Sequence, residues 1–159
     1  MHFLSLLDFS PKAAYKFDTN IDVRFLKNII TQLFGGEAIY EVMTTNPIGL
    51  LTINTNGFME GVDTLKSTSA GTQITNLHIM HNSISDSLSH EVVKLRQSGI
   101  DQLHEKCKKC DFLYGCAGGY IPNRFSKENQ FNNPSVYCDD LYWLLDNIQK
   151  DLIERTASK

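Results

Sequence analysis

No cysteine stands between Met1 and Lys106, and the 159-residue chain holds only four, all in its last third: Cys107, Cys110, Cys116 and Cys138. So small and clustered a set argues against the disulfide framework of a secreted mini-protein, which spreads more cysteines over a shorter chain. Long apolar runs are missing too. No stretch approaches the roughly 20 residues that a membrane span needs. The start, Met1-His2-Phe3-Leu4-Ser5-Leu6-Leu7-Asp8, lacks the basic lead and sustained apolar stretch of a secretory signal. A cytoplasmic protein with no membrane partner is expected. Positive charge is not in excess: 15 Lys and Arg against 18 Asp and Glu leave a net charge of −3, so no general attraction to nucleic acid is expected. A Gly-x-Ser-x-Gly elbow, a phosphate-cradling glycine loop and a dinucleotide fingerprint are all absent.

What is present reads as an ordinary globular chain. Apolar residues make up 42% and charged residues 21%, and folding at this length hides about 70% of the unfolded surface. Met1 to Asn20 shows no clear period and reads as a connecting segment with at most one short helix. Leu26, Ile29, Ile30 and Leu33 fall at helical spacing within Ile21 to Phe34, with Thr19 or Asn20 as a cap and Gly35-Gly36 as the stop. Gly49 to Asp63 reads as a β-hairpin turning at Asn56-Gly57, a pair suited to two positive φ angles. Gln73 to Met80 reads as a further strand. Leu88, Val92 and Leu95 share one helical face that ends near Gly99. Cys107 to Cys138 has neither period and reads as a loop shaped by something it binds. Leu141, Leu144, Leu145, Ile148 and Leu152 then mark a closing amphipathic helix behind Asp139 and Asp140. The fold class expected is α+β: a small antiparallel hairpin element with flanking helices and an irregular cysteine-rich segment. Two regions are expected, a helical N-terminal segment over 1–47 and a cysteine-bearing domain over 48–159.

The pattern Cys107-x2-Cys110-x5-Cys116-x21-Cys138 points to metal chemistry. A two-residue gap lets two thiolates of one turn reach the same centre, and the later pair closes a long segment around it. Four soft sulfur donors suit zinc or an iron–sulfur cluster, not magnesium or calcium. Zinc ribbons pair two short knuckles, whereas here the second pair is widely split, a spread that a cubane tolerates better. An oxidised 4Fe–4S cube with four thiolates carries about −2 of charge, which amide N–H groups and cations must offset. Gly118 and Gly119, just after Cys116, can present such amides. Lys106, Lys108 and Lys109 flank the first two cysteines, either as that positive charge or as a solvated turn.

These residues carry a family resemblance. Cys107-Lys-Lys-Cys110-Asp-Phe-Leu-Tyr-Gly-Cys116-Ala-Gly-Gly-Tyr120-Ile-Pro-Asn-Arg124-Phe-Ser126, with Asn133-Pro-Ser-Val-Tyr-Cys138 beyond it, resembles the C-terminal SPASM region of radical SAM peptide maturases, including those that form cyclophanes in ribosomal precursor peptides. The resemblance covers about Gly99 to Asp146. It implies that 48–159 is a SPASM-like cap, that Cys107, Cys110, Cys116 and Cys138 ligate one auxiliary 4Fe–4S cluster, and that the partners are a precursor peptide and a radical SAM barrel. Tyr120 stands where the fuller pattern has another cysteine. The Cys-x3-Cys-x2-Cys motif by which radical SAM enzymes engage S-adenosylmethionine is not in the chain, so that cofactor is expected only through a missing or separate barrel. The chain would then be a detached C-terminal part, a split subunit or a remnant, with Ile21 to Phe34 left from the barrel's packing layer. The competing reading is a zinc-stabilised interaction module with no catalytic role.

Other polar residues carry less. Asn123 and Arg124 either touch a peptide or brace the loop through carbonyls, and the brace is preferred for Arg124. Tyr120 and Tyr137 read as packing around the cysteines, and Tyr142 and Trp143 as core or interface residues. His78, His81, His90 and His104 fit no common ligand spacing and read as structural.

Overall fold

A computed structural model describes residues 23–38, 40 and 42–157. The connecting segment expected over Met1 to Asn20 and the cap expected at Thr19 or Asn20 lie outside these residues. Helix α1 (Arg24–Leu33) is the first element described, and it ends where Gly35 takes a φ of +77°. Strands β1 (Thr52–Ile53), β2 (Phe58–Glu60) and β3 (Ile74–His78) form one antiparallel sheet in the order β1-β2-β3. Thr52 pairs with Glu60, and Phe58 with His78. The α+β class is therefore met, with three strands where the sequence suggested a hairpin and a neighbour.

The hairpin turn differs in detail from expectation. Gly57 N–H donates to Asn54 O at 2.8 Å and Asn54 N–H to Phe58 O at 2.9 Å. Gly57 has a φ of +84°, while Asn56 is not left-handed. A loop of this length closes with one left-handed residue where a two-residue loop needs two. His78 occupies the space beside Gly57: any Cβ there would collide with its imidazole.

The helix expected through Leu88, Val92 and Leu95 is broken. Helix α2 (Ile84–Ser89) starts with a capping box between Ser83 and Asp86, and helix α3 (Glu91–Lys94) follows after His90, whose ψ of 138° is extended. The His90 ring accepts from Val92 N–H, so one side chain caps the second helix at the point where the first ends. The cysteine segment holds more regular structure than a period-free stretch suggests. Helices α4 (Glu105–Lys108) and α5 (Leu113–Cys116) are single turns, and Ile121–Arg124 is a 3-10 turn. Helix α6 (Cys138–Ala157) closes the chain as expected.

Two apolar clusters hold these parts. Ile29, Met43, Phe112, Leu145 and Ile148 form one, with Leu26, Leu33, Cys110 and Cys116 against it, so α1, α5 and α6 make a common layer. Val62, Leu65, Ile121 and Phe131 form the other beneath Val92 and Leu95. The segment from Cys110 to Ile121 runs from the first cluster to the second. Among the described residues no helix is long and apolar enough to cross a membrane.

Candidate metal centre

Each cysteine is delivered by a different local device. Cys107 lies in α4, which His104 caps by accepting from Lys106 N–H at 3.1 Å. Cys110 follows one turn later, its N–H bonded to Cys107 O at 3.1 Å. Cys116 ends α5, and α5 can press against its neighbours because Gly115 has no side chain: a Cβ there would stand 3.1 Å from Leu33 Cδ2 and 3.3 Å from Leu145 Cδ2. Cys138 opens α6, where Ser135 prepares the start. Ser135 O accepts Cys138 N–H at 2.9 Å and its Oγ accepts Tyr137 N–H at 3.1 Å.

The long gap between Cys116 and Cys138 is folded back on itself. Asn133 donates its side-chain amide to Arg124 O and Gln130 O, both at 2.9 Å, and Val136 N–H donates to Asn123 O at 2.9 Å. These bonds return the chain to its starting point, and Cys138 arrives beside the earlier three. The Asn133-Pro-Ser-Val-Tyr-Cys138 stretch thus has a mechanical reading: a staple, a helix start and the last thiol.

All four cysteines line one cavity of about 270 Å³, together with Phe112, Ser135, Asp139, Tyr142 and Leu145. The four are free thiols. Cys107 is buried and the other three are partly so. Burial first, and then the nearby sulfurs of Cys107, Cys110 and Cys138, push the Cys116 thiol up to about 12. Burial, with Cys138 and Cys110, also raises Cys107, against an opposing pull from Arg124 and Lys106. Cys107 and Cys116 therefore each lie within electrostatic reach of the other three sulfurs. Four thiolates here repel one another unless positive charge sits among them. Among the described residues, no group of three His, Cys, Asp or Glu side chains has the arrangement of a metal ion's ligands. The sulfurs surround a space instead.

The glycine turn behind Cys116 is wound left-handed over three residues, with φ of +51° at Ala117 and +73° at both Gly118 and Gly119. The Gly118 N–H faces the Cys116 sulfur and favours its thiolate. The Gly119 amide, by contrast, goes to Cys116 O at 2.8 Å, so one of the two glycine amides serves sulfur and the other closes the turn. The three lysines also divide. Lys106 and Lys109 line the cavity. Lys108 turns away and pairs with Glu105 at 3.0 Å.

Arg124 departs most from expectation. Its side chain is buried, with 3% of its surface exposed, and its Nε and Nη1 meet no hydrogen-bond partner among the described residues. A brace through carbonyls at these two atoms is not found, and a peptide outside the chain has no access to it. Arg124 instead sits behind Gly118, where a Cβ would stand 3.3 Å from Nη1, and within electrostatic reach of Cys107 and Cys116. Tyr120 and Tyr137 do not line the cavity. Tyr142 does, edge-on to Phe112 with ring centres 5.0 Å apart, and Trp143 is half-exposed rather than core. The sequence carried a signal for Tyr142, since it lies one turn after Cys138 on the same helical face. For Phe112 and Ser135 it carried none beyond proximity to a cysteine.

Three histidines are local braces. His78 Nδ1 accepts from Met80 N–H at 3.1 Å, which leaves Nε2–H to donate to Asn56 O at 3.0 Å. His90 and His104 cap helices. His81 stacks on His78 with ring centres 5.3 Å apart.

No protein-family model and no curated protein sequence matches the chain. A solved structure does. The fold is similar to that of native anSMEcpe with bound AdoMet, with a TM-score of 0.61 and 17% identity over 85% of this chain. The likeness is one of fold. This chain spans 36% of the length of that protein.

The donor set and its setting fit a sulfur-ligated iron cluster. Four soft thiols face one space, an amide faces one of them, and a buried guanidinium with unpartnered N–H groups lies behind them. Each of these favours a polynuclear anionic group over a hard divalent ion.

Proposed function

We propose that this chain is the auxiliary-cluster part of a radical SAM peptide maturase, with Cys107, Cys110, Cys116 and Cys138 as the ligands of one 4Fe–4S cluster. The reading is carried by one observation: four cysteines, three from separate helices and one from the loop between two of them, line a single cavity. It is supported by the family resemblance of Gly99 to Asp146 and by a fold shared with a protein that has bound AdoMet. A lone zinc ion holds its sulfurs about 3.8 Å apart, since Zn–S bonds of about 2.3 Å point to the corners of a tetrahedron. Among the described residues no three cysteines are grouped as a single ion's ligands, and the wider space that the four line suits a cube better.

Such a cluster supplies one-electron transfer. The chain's own groups do the remainder. Cys107, Cys110, Cys116 and Cys138 would together fill every iron position, leaving none for a peptide to ligate. Gly118 N–H and Arg124 offset negative charge from behind, while Phe112, Tyr142 and Leu145 limit water on the apolar side. Lys106 and Lys109 supply cationic charge at the mouth, toward a precursor peptide or a barrel chain. S-adenosylmethionine binding and radical formation belong to that barrel.

The test is metal and sulfide analysis of anaerobically purified full chain. About four irons with matching acid-labile sulfide, and a brown protein whose visible band bleaches on reduction, are expected. One zinc per chain in a colourless protein refutes the proposal and leaves a zinc-stabilised interaction module.

A further inference from the structure

A buried arginine with unpartnered N–H groups is costly, because a guanidinium carries five N–H donors and a full charge. Arg124 is such a residue. It is 3% exposed, and neither Nε nor Nη1 finds an acceptor among the described residues. No carboxylate is paired with it by any ion pair of the described residues. Cys107 and Cys116 favour its charge, against burial and the neighbouring Arg96, and its Nη1 lies close behind the glycine turn at Gly118, which lines the cavity with the four cysteines. Leu103 packs on the same turn. The backbone around Arg124 is held by Asn133 and Val136, so the side chain is aimed from a fixed base.

We infer that Arg124 is the buried counter-charge of the metal centre and that its positive charge sets the reduction potential of the cluster held by the four cysteines. This inference rests on the proposed function above. A 4Fe–4S cube that its four thiolates leave at about −2 would supply the counter-charge that the guanidinium lacks in the protein alone, and the attraction would be poorly screened on the Arg124 side, which is out of water. The lysines at the cavity mouth are solvated and screened, so they replace this charge poorly. Reduction adds one negative charge to the cluster, and a fixed cation nearby favours that state. Arg124 therefore touches no substrate. It positions charge.

The experiment is an EPR-monitored redox titration of the full chain, reconstituted with iron and sulfide under anaerobic conditions, as wild type, Arg124→Met and Arg124→Lys. At the potential where the wild type is half reduced, Arg124→Met is expected to show a ratio of reduced to oxidised cluster at least tenfold lower, equivalent to about 59 mV for one electron. Arg124→Lys is expected to stay within about threefold of wild type, because it retains the charge. Loss of iron from Arg124→Met with retention in Arg124→Lys also supports the inference. Equal titrations for Met and wild type overturn it. So does a Lys variant that behaves as the Met variant does, including loss of iron from both, since packing rather than charge then explains the residue. A wild-type chain that takes up no iron ends the proposed function itself, whereas an iron-loaded wild type with an indifferent Arg124→Met ends only this inference.

Discussion

Gly118 turns its backbone N–H toward the Cys116 sulfur, favouring the thiolate, from a φ of +73°, a conformation that side chains resist. A Cβ at this position would also lie 2.8 Å from Leu103 Cδ2 and 3.3 Å from Arg124 Nη1. The amide can thus reach the sulfur because the residue is glycine. Gly118→Ala is expected to cost about 1–2 kcal/mol from the left-handed backbone alone, with the Leu103 contact added. Urea denaturation should show a lower midpoint, together with reduced iron uptake. An unchanged midpoint would mean the turn has another way to close.

The four-ligand assignment predicts that Cys107→Ala, Cys110→Ala, Cys116→Ala and Cys138→Ala each lower iron and sulfide content sharply. The four should fall together, although they come from three helices and a loop. Iron retained at the wild-type level in Cys116→Ala but abolished in Cys110→Ala would end the assignment.

Leu145 and Ile148 are both fully buried on α6, yet only Leu145 lines the cavity. Leu145→Ala and Ile148→Ala are each expected to cost about 2–5 kcal/mol in chemical denaturation. The cluster's visible spectrum should change in Leu145→Ala and stay constant in Ile148→Ala, measured where both are folded. Identical spectra in the two would show that the cavity wall does not shape the centre.

Stripping the metal with a chelator under oxidising conditions should destabilise a defined region. The single-turn helices α4 and α5 are too short to persist on their own, so hydrogen exchange from His104 to Cys138 is expected to accelerate while the middle of α6 stays protected. Acceleration spread evenly over the chain would contradict this.

The capping box at Ser83 predicts a pH effect with a definite sign. Backbone and side-chain hydrogen bonds from Ser83 hold the Asp86 carboxyl below the usual carboxylate range. A group whose folded-state value is depressed stabilises above its unfolded value and loses that effect as pH falls through the folded one. Wild type should therefore exceed Asp86→Asn in stability at neutral pH, and the gap should shrink under acid below about pH 4. Thermal melts at both pH values measure it, and a gap that widens under acid would reverse the assignment.

Much of the fold was legible in the residue pattern. The α1 and α6 stripes follow from apolar spacing, and the hairpin follows from β-branched residues around Asn56-Gly57. Where reading failed, a tertiary or capping effect prevailed over periodicity. His90 interrupts the stripe of Leu88, Val92 and Leu95 because its ring caps the next helix. Helices α4 and α5 last one turn each and leave no period to read. Arg124 reads in sequence as a brace through carbonyls because charged side chains are seldom buried without a partner, whereas in the fold its side chain is buried against the glycine turn.

Composition and spacing alone settled that four cysteine thiols exist, that they cluster late in the sequence, and that Met1 to Lys106 holds no other cysteine. Whether those donors share a centre depended on long-range closure, through the Asn133 staple, the close packing allowed by Gly115 and the α6 start at Cys138. Sequence distance says nothing about such closure, since a gap of 21 residues between Cys116 and Cys138 is bridged only by contacts made in three dimensions.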